Sequence, residues 1–283
     1  MKSLSSMLRT LWQRDRLSLF GLSLLVFLIL LGLIGPYLPL GDPMKIGAGP
    51  RLSPPSRAFP FGTDELGRSF LPRVVEGIRA TFLLSAVAVI ITAVLGTLLG
   101  MVSGFFRGFP DQLVARGADI LFAFPAILAG LLIAAVMGPG QISAIAVISV
   151  ATLPLFIRVV RAVTMGLAAR GFIVAAQVAG ASPWRVMLVH ILPNIVGAVI
   201  VQLTYALSIG MIIESALSFL GLGVQPPYAS LGSLLRQGSS YLTFAPWLVL
   251  SSGAVLSAAI MAVNLTGDAA RDALEPLKGR SLT

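Results

Sequence analysis

The amino-acid sequence predicts an all-α fold, a polytopic membrane helical bundle of about six transmembrane helices. Three observations carry this reading. Apolar residues make up 57% of the 283 positions and charged residues only 11%, whereas soluble domains run near about 25% charged. Mean hydropathy is +0.94, so the chain lacks the polar groups to cover a water-facing surface, and lipid must cover much of it. Windows nearly free of charge and of roughly membrane-crossing length recur along the chain, and basic residues gather in alternate connections between them.

Residues 1–16 read as a cytoplasmic N-terminal segment carrying Lys2, Arg9, Arg14 and Arg16. This start resembles a signal peptide. The apolar run from Leu17 to Gly41 is too long for one and has no small-residue cleavage site, so it is read as a retained first span over 17–38. That span opens a membrane domain reaching to residue 283. A Pro- and Gly-rich outer loop over 40–57 precedes the second span, 80–101. Residues 120–157 carry no charge and are too long for one crossing. The strong turn signal Met137-Gly138-Pro139-Gly140-Gln141 divides them into spans over 120–136 and 141–157. The fifth and sixth spans cover 195–217 and 245–265. The stretch 220–243 between them is rich in Gly, Ser and Pro, with a turn expected at Gln225-Pro226-Pro227. No internal repeat is visible.

Basic residues cluster at the N-terminus, between the second and third spans (Arg107, Arg116), between the fourth and fifth (Arg158, Arg161, Arg170, Arg185) and at the C-terminus (Arg271, Lys278, Arg280). The turn at 137–141 has none, and the stretch between the fifth and sixth spans has only Arg236. Positive-inside bias therefore places both termini in the cytoplasm. The loop from Pro39 to Arg79 opposes this with six basic residues on the outside, but the remaining loops agree with one another. The net charge of +9 fits loops facing an anionic lipid leaflet. It does not point to nucleic acid, since no basic stripe with interleaved aromatics occurs.

The same inventory argues against catalysis in this chain. A phosphate loop needs Gly-Lys-Ser/Thr, and none of the three lysines, Lys2, Lys45 and Lys278, follows a glycine. There is no cysteine, and His190 is the only histidine, so neither a thiolate site nor a Ser-His-Asp arrangement is expected. No catalytic, cofactor-binding or metal-binding residue is assigned.

The cytoplasmic loop at about 164–190 is the informative segment. It reads Val174-Ala175-Ala176-Gln177-Val178-Ala179-Gly180-Ala181-Ser182-Pro183-Trp184-Arg185-Val186, then His190-Ile191-Leu192-Pro193-Asn194. Phe172 to Ala179 has no helix breaker, and Gly180 suits the left-handed residue that ends a helix. Ser182 is a good N-cap, and Pro183 fits the first helical position. Val186, Val189 and His190 fall on one face at helical spacing, and Pro193 marks the start of the fifth span. A short surface helix with small side chains suits docking into a partner's groove; an amphipathic helix lying on lipid headgroups is the other reading.

This pattern resembles the "EAA" loop of prokaryotic ABC import permeases, which runs EAA, three residues, Gly, nine residues, Ile-x-Leu-Pro. The match falls on Val174, Ala175, Ala176, Gly180, His190, Leu192 and Pro193. Phe61-Gly62-Thr63-Asp64-Glu65-Leu66-Gly67-Arg68 resembles the segment before the second span in the dipeptide, oligopeptide and nickel permeases. Leu217-Ser218-Phe219-Leu220-Gly221-Leu222-Gly223 with Pro226-Pro227, Ala245-Pro246-Trp247, and Gly267-Asp268 with Arg271-Asp272-Ala273-Leu274-Glu275-Pro276 do so as well. The chain is most similar to the second, C-type permease of such systems. Val174 stands where the name-giving Glu would be, and His190 at the Ile position.

The resemblance implies a type I ABC importer permease fold and a place in a multi-pass bacterial inner membrane. It implies a translocation pathway formed with a paralogous permease, and an extracytoplasmic substrate-binding protein. Two cytoplasmic ATP-binding subunits would hold the ATP and Mg and engage a coupling loop made of Val174, Ala175, Ala176, Gly180, Ala181, Ser182, Pro183, Arg185, His190 and Pro193. Di- and oligopeptides are the first substrate expectation, with nickel or another small solute as the alternative. A stand-alone secondary transporter or channel is the reading from another class. It calls for paired ionisable groups at mid-membrane, and only Glu214 is of that kind. Glu214, Gln202 and Asn264 are candidates for the pathway or a gate, with pairing of Glu214 to backbone or Arg236 as the structural alternative. Asp111, Arg116 and Asp119 are expected to pair locally.

Overall fold

The computed structural model describes residues 16–274. Lys2, Arg9 and Arg14 of the N-terminal segment and Glu275, Pro276, Lys278 and Arg280 near the C-terminus lie outside the described residues. Among the described residues regular structure is helical, apart from one isolated bridge between Thr63 and Ser69. The helices are α1 (Arg16–Ile34, prolonged by a tight turn Gly35–Tyr37), α2 (Phe70–Phe106), α3 (Gly108–Ala123), α4 (Ala126–Met137), α5 (Gln141–Ala168), α6 (Gly171–Val178), α7 (Pro183–Phe219), α8 (Leu231–Ser239) and α9 (Pro246–Leu274). Helices α1, α2, α5, α7 and α9 are each long and apolar enough to cross a membrane. α3 and α4, bent by 90° at their junction, make a sixth crossing if taken as one broken span.

The centre of the bundle is a parallel pair, α2 and α5, brought together by small residues. Thr92, Gly96, Gly100 and Gly104 recur every fourth position on one stripe of α2, as close helix approach in lipid requires. A Cβ on Gly96 would lie 2.4 Å from the Cβ of Phe156, and one on Gly100 2.7 Å from that of Val160. Antiparallel α7 lies against this pair, with Gly210 facing Ile148, Ser85 and Val89. On the other side, α1 meets α2 where Gly32 faces Ile78 and α9 where Gly21 faces Leu265. Ile90, Val94, Leu132 and Val136 are exposed and face outward for lipid.

The two ends of the bundle differ. The cap end holds the 35–69 loop, the turn between α4 and α5, and α8. The knuckle end holds α3, α6 and the start of α7. Each end has an apolar cluster: Phe70, Ile78, Met211, Leu231 and Leu248 toward the cap, and Met101, Val160, Ile173, Val186, Met187 and Ile191 toward the knuckle.

Two expectations need correction. The third span is not one helix over 120–136. Phe124 is extended (φ −86°, ψ 124°) because the ring of Pro125 disfavours a helical conformation before it, and α4 starts only after that proline. At 12 residues, α4 reaches about 18 Å, short of the roughly 30 Å hydrocarbon core. The regular helix of the fifth span starts at Leu192 with Pro193 in its first turn, as expected, but the helical path extends back past Pro193. Helix α7 runs through it from Pro183 to Phe219 by way of a wide π turn over Val186–Ile191, where the Leu192 N–H bonds the Met187 carbonyl. The wide turn accommodates a ring that lacks an N–H and would clash in a regular helix. It also shifts the buried face. Val186, Met187 and Ile191 are buried, while Val189 is exposed and His190 half-buried.

Candidate functional site

The knuckle is built from two short helical pieces joined by four residues. α6 ends in a Schellman arrangement: the Ala181 N–H bonds the Ala176 carbonyl at 3.1 Å and the Gly180 N–H bonds the Gln177 carbonyl at 3.0 Å. Gly180 takes φ +82°, which a residue without Cβ adopts at no steric cost. The chain re-enters a helix at Ser182, whose hydroxyl accepts from the Arg185 N–H at 3.4 Å, with Pro183 at the first helical position. Ile173, Val186, Met187 and Ile191 anchor the knuckle on Met101 and Val160. Val174, Ala175, Gly180, Ser182, Pro183 and Arg185 are exposed, whereas Ala176 and Ala181 are half-buried against the core. Val178 is 83% exposed and Trp184 58%. The His190 carbonyl accepts from the Asn194 side chain at 2.7 Å, and Pro193 is exposed.

Beside the knuckle, α3 is tied to the bundle by charge. The Arg161 guanidinium donates twice to Asp111, at 2.5 and 2.8 Å, and the Ser103 hydroxyl donates at 2.5 Å. Asp111 opens α3, which turns away from the apolar α4 and carries Asp111, Arg116 and Asp119, so the carboxyl sits outside the crossing segments. Hydrogen bonds from Arg161 and then from Ser103 hold it down at about 2. Asp119 pairs with Arg158 at 2.7 Å, and Arg158 covers the Phe122 ring at 4.4 Å. Asp111 and Asp119 therefore pair with α5, not with α3 neighbours as the sequence suggested.

The three polar candidates within the apolar windows are not gathered into one site. Glu214, on α7, is fully buried inside a ring of hydroxyls. Thr81 donates to its Oε2 at 2.9 Å and Ser218 to its Oε1 at 2.7 Å. Its partners are hydroxyls of α2 and α7, not Arg236. Gln202 is buried on α7, and Asn264 is exposed on α9.

Sequence reasoning missed the polar cluster at the cap end. Asp64 is fully buried. It accepts from Arg68 Nε at 2.6 Å and from the N–H groups of Leu66 and Arg68 at 2.9 Å each. Buried Arg73 approaches it at 3.5 Å, and Gln237 of α8 donates both to Asp64 and to Glu65. Gly67 (φ +70°) makes the turn possible, since a Cβ there would lie 2.4 Å from the Gly49 carbonyl oxygen. The signal was present in the motif: two acids and an Arg four residues on, all beside an apolar helix. A cavity of about 500 Å³ opens beside this cluster, walled by the 65–73 segment, the 218–228 connection and α8.

With this geometry in place, the chain compares with known proteins as follows. The family described as binding-protein-dependent transport system inner membrane component matches residues 96–280. The chain belongs to this family. The matched part of the permease begins within α2 and includes the whole knuckle; the Asp64 cluster lies ahead of it. The permease is 36% identical over 280 residues to a di/tripeptide transport system permease protein of Pseudomonas aeruginosa, covering 96% of this chain and 92% of that protein. It is 36% identical over 263 residues to a peptide transport system permease protein of Brucella abortus described as putative in its name, covering 93% and 88%. It is 33% identical over 256 residues to a D,D-dipeptide transport system permease protein of Escherichia coli named as probable, covering 90% and 86%. Its fold matches a chain of the MetNI methionine ABC transporter in an inward-facing conformation. There the TM-score is 0.63 at 18% identity, over 73% of this chain and 98% of that one. The permease is thus a multi-pass membrane subunit of an ABC importer with a type I permease fold.

Proposed function

We propose that this permease is one of two paralogous membrane subunits of a bacterial inner-membrane importer for di- and oligopeptides, driven through its knuckle by separate ATP-hydrolysing subunits. The knuckle is the observation that carries the reading. It presents Val174, Ala175, Val178 and Trp184 outward, and an exposed apolar surface of this kind asks for a cover. It is also continuous with α7, so a partner seated there holds one end of a membrane-crossing rod. Two ATP-binding subunits bind ATP and Mg on the cytoplasmic side, the paralogous permease completes the pathway, and an extracytoplasmic binding protein delivers substrate to the cap end. In this reading the nucleotide and its hydrolysis belong to those separate subunits. The peptide class rests on what the related permeases are named for.

Both termini are cytoplasmic in this reading. Arg107, Arg116, Arg158, Arg161, Arg170 and Arg185 all lie toward the knuckle end, as positive-inside bias asks of a cytoplasmic face. Of the six opposing charges in the 39–79 segment, Arg68 and Arg73 are buried and paired with Asp64, which weakens the objection.

Affinity purification of the tagged chain from its native membrane tests this. ATPase subunits are expected to co-purify, a Cys placed at Ala175 to cross-link to one of them, and labelled dipeptide to enter vesicles only with ATP. Solute transport by this chain reconstituted alone would overturn the proposal. ATP-driven uptake of nickel in place of peptide would replace the substrate class and leave the coupling intact.

A further inference from the structure

The geometry points to a carboxylate-binding subsite in the cap-end cavity, with Arg236 as its primary contact and a small zwitterion bearing a free carboxylate as its ligand class. The inference rests on the peptide reading and adds a recognition site to it. The cavity holds about 500 Å³, within the range of small-molecule sites rather than of a protein docking surface. Its lining includes three guanidinium groups, Arg68, Arg73 and Arg236, against one carboxylate, Glu65. Arg68 and Arg73 are engaged by Asp64 behind the wall, and Glu76 also acts on Arg73.

Arg236 is different. Its guanidinium makes no hydrogen bond or ion pair among the described residues, and it rests on Gly221, where a Cβ would lie 1.8 Å from Nη1. It is thus an exposed cation at the cavity, backed by a backbone that leaves room for it. Buried Arg73, in contrast, turns its Nε to Asp64 at 3.5 Å and its two terminal nitrogens to the Pro43 carbonyl and Gln237, so it adds positive charge to the wall but no unpaired group. A guanidinium offers a planar fork of donors matched to a carboxylate. Glu65 lies in the same lining, and its carboxylate can accept from an amino group. Opposite charges in one small cavity suit a molecule that carries both.

Labelling of Arg236 by phenylglyoxal, read by mass spectrometry on the full chain in native membranes, tests the site directly. Exposed Arg158 serves as the internal reference. Acetate and alanylalanine are expected to protect Arg236 severalfold, alanylalanine amide not, and Arg158 labelling is to stay unchanged. Uptake by the assembled transporter gives the second reading. Arg236→Gln is expected to lower alanylalanine uptake about tenfold or more at low concentration, as loss of a charge-assisted hydrogen bond does, with Arg236→Lys intermediate. No protection, or equal protection by acid and amide, overturns the subsite; so does equal loss of uptake for acid and amide. Protection without any peptide uptake by the native protein keeps the subsite and overturns the peptide reading; uptake without protection does the reverse.

Discussion

Thr81 Oγ1 donates to Glu214 Oε2 at 2.9 Å and accepts from the Leu231 N–H at 3.2 Å, so one hydroxyl joins α2, α7 and α8. The Leu231 N–H is one of the unsatisfied groups at the start of α8, and Thr81 supplies its acceptor. Thr81→Val keeps the shape and removes both bonds. It is expected to cost about 1–2 kcal/mol, seen as a lower unfolding midpoint in lipid nanodiscs. Thr97 is the control. Its buried Oγ1 has no partner, so Thr97→Val is expected to leave stability unchanged or raised. Equal losses in the two variants would refute the assignment.

The glycine stripe of α2 makes a separate prediction. Gly100→Val places branched carbon against Val160, where even a Cβ would come within 2.7 Å, and both sides of the contact are helix. The α2–α5 pair is expected to separate and the chain to be degraded in the membrane. Gly166→Ala on α5, with nothing within 4 Å of the added carbon, is expected to be tolerated and to stabilise by up to about 1 kcal/mol. Expression level and unfolding midpoint report both.

Gly180→Val strains the knuckle without crowding it, since open space surrounds the site and only the φ of +82° is incompatible with a branched residue. Membrane insertion is expected to persist, and ATP hydrolysis by the assembled transporter to continue, while uptake per ATP hydrolysed falls. Unchanged uptake would show that the shape of the knuckle does not set the coupling.

The Asp111–Arg161 pair gives a pH dependence. The folded carboxyl titrates at about 2, below its ordinary 3.8. The pair's contribution is therefore fully present above about pH 4 and fades as pH falls through about 2. The unfolding midpoints of native protein and Asp111→Asn should differ most above pH 4 and converge toward pH 2. A constant difference across that window would show that the pair does not couple to folding.

Hydropathy made the helical class readable from the residues alone, because a charge-poor window of crossing length has few other solutions in lipid. The end of α6 and the restart at Ser182-Pro183 were also legible, since Gly and Ser-Pro act through local sterics and capping. The break at Phe124-Pro125 was hidden inside an uncharged window, although the proline signalled it. The π turn before Pro193 answers to that proline's missing N–H and bulky ring, but the proline read equally well as the opening residue of a new helix. The partners of Glu214 lie 133 residues away at Thr81 and four residues on at Ser218, and only the first of these needed the fold to find. Helix α8, with the capping box of Ser230 and Ser233, lay unseen within the 220–243 stretch, where the Gly, Ser and Pro content drew attention to the turn at 225–227.

The unbroken course of α7 has a mechanical consequence. Trp184 and Ser218 belong to one rod of 37 residues, about 55 Å long, and Ser218 is in the wall of the cap-end cavity. No loop separates them, so under the proposed coupling a tilt at the knuckle would reach the other end as a change in cavity shape. The π turn at 186–191 interrupts the regular helix at its knuckle end, so in the proposed coupling the remaining rod would swing as a single stiff arm.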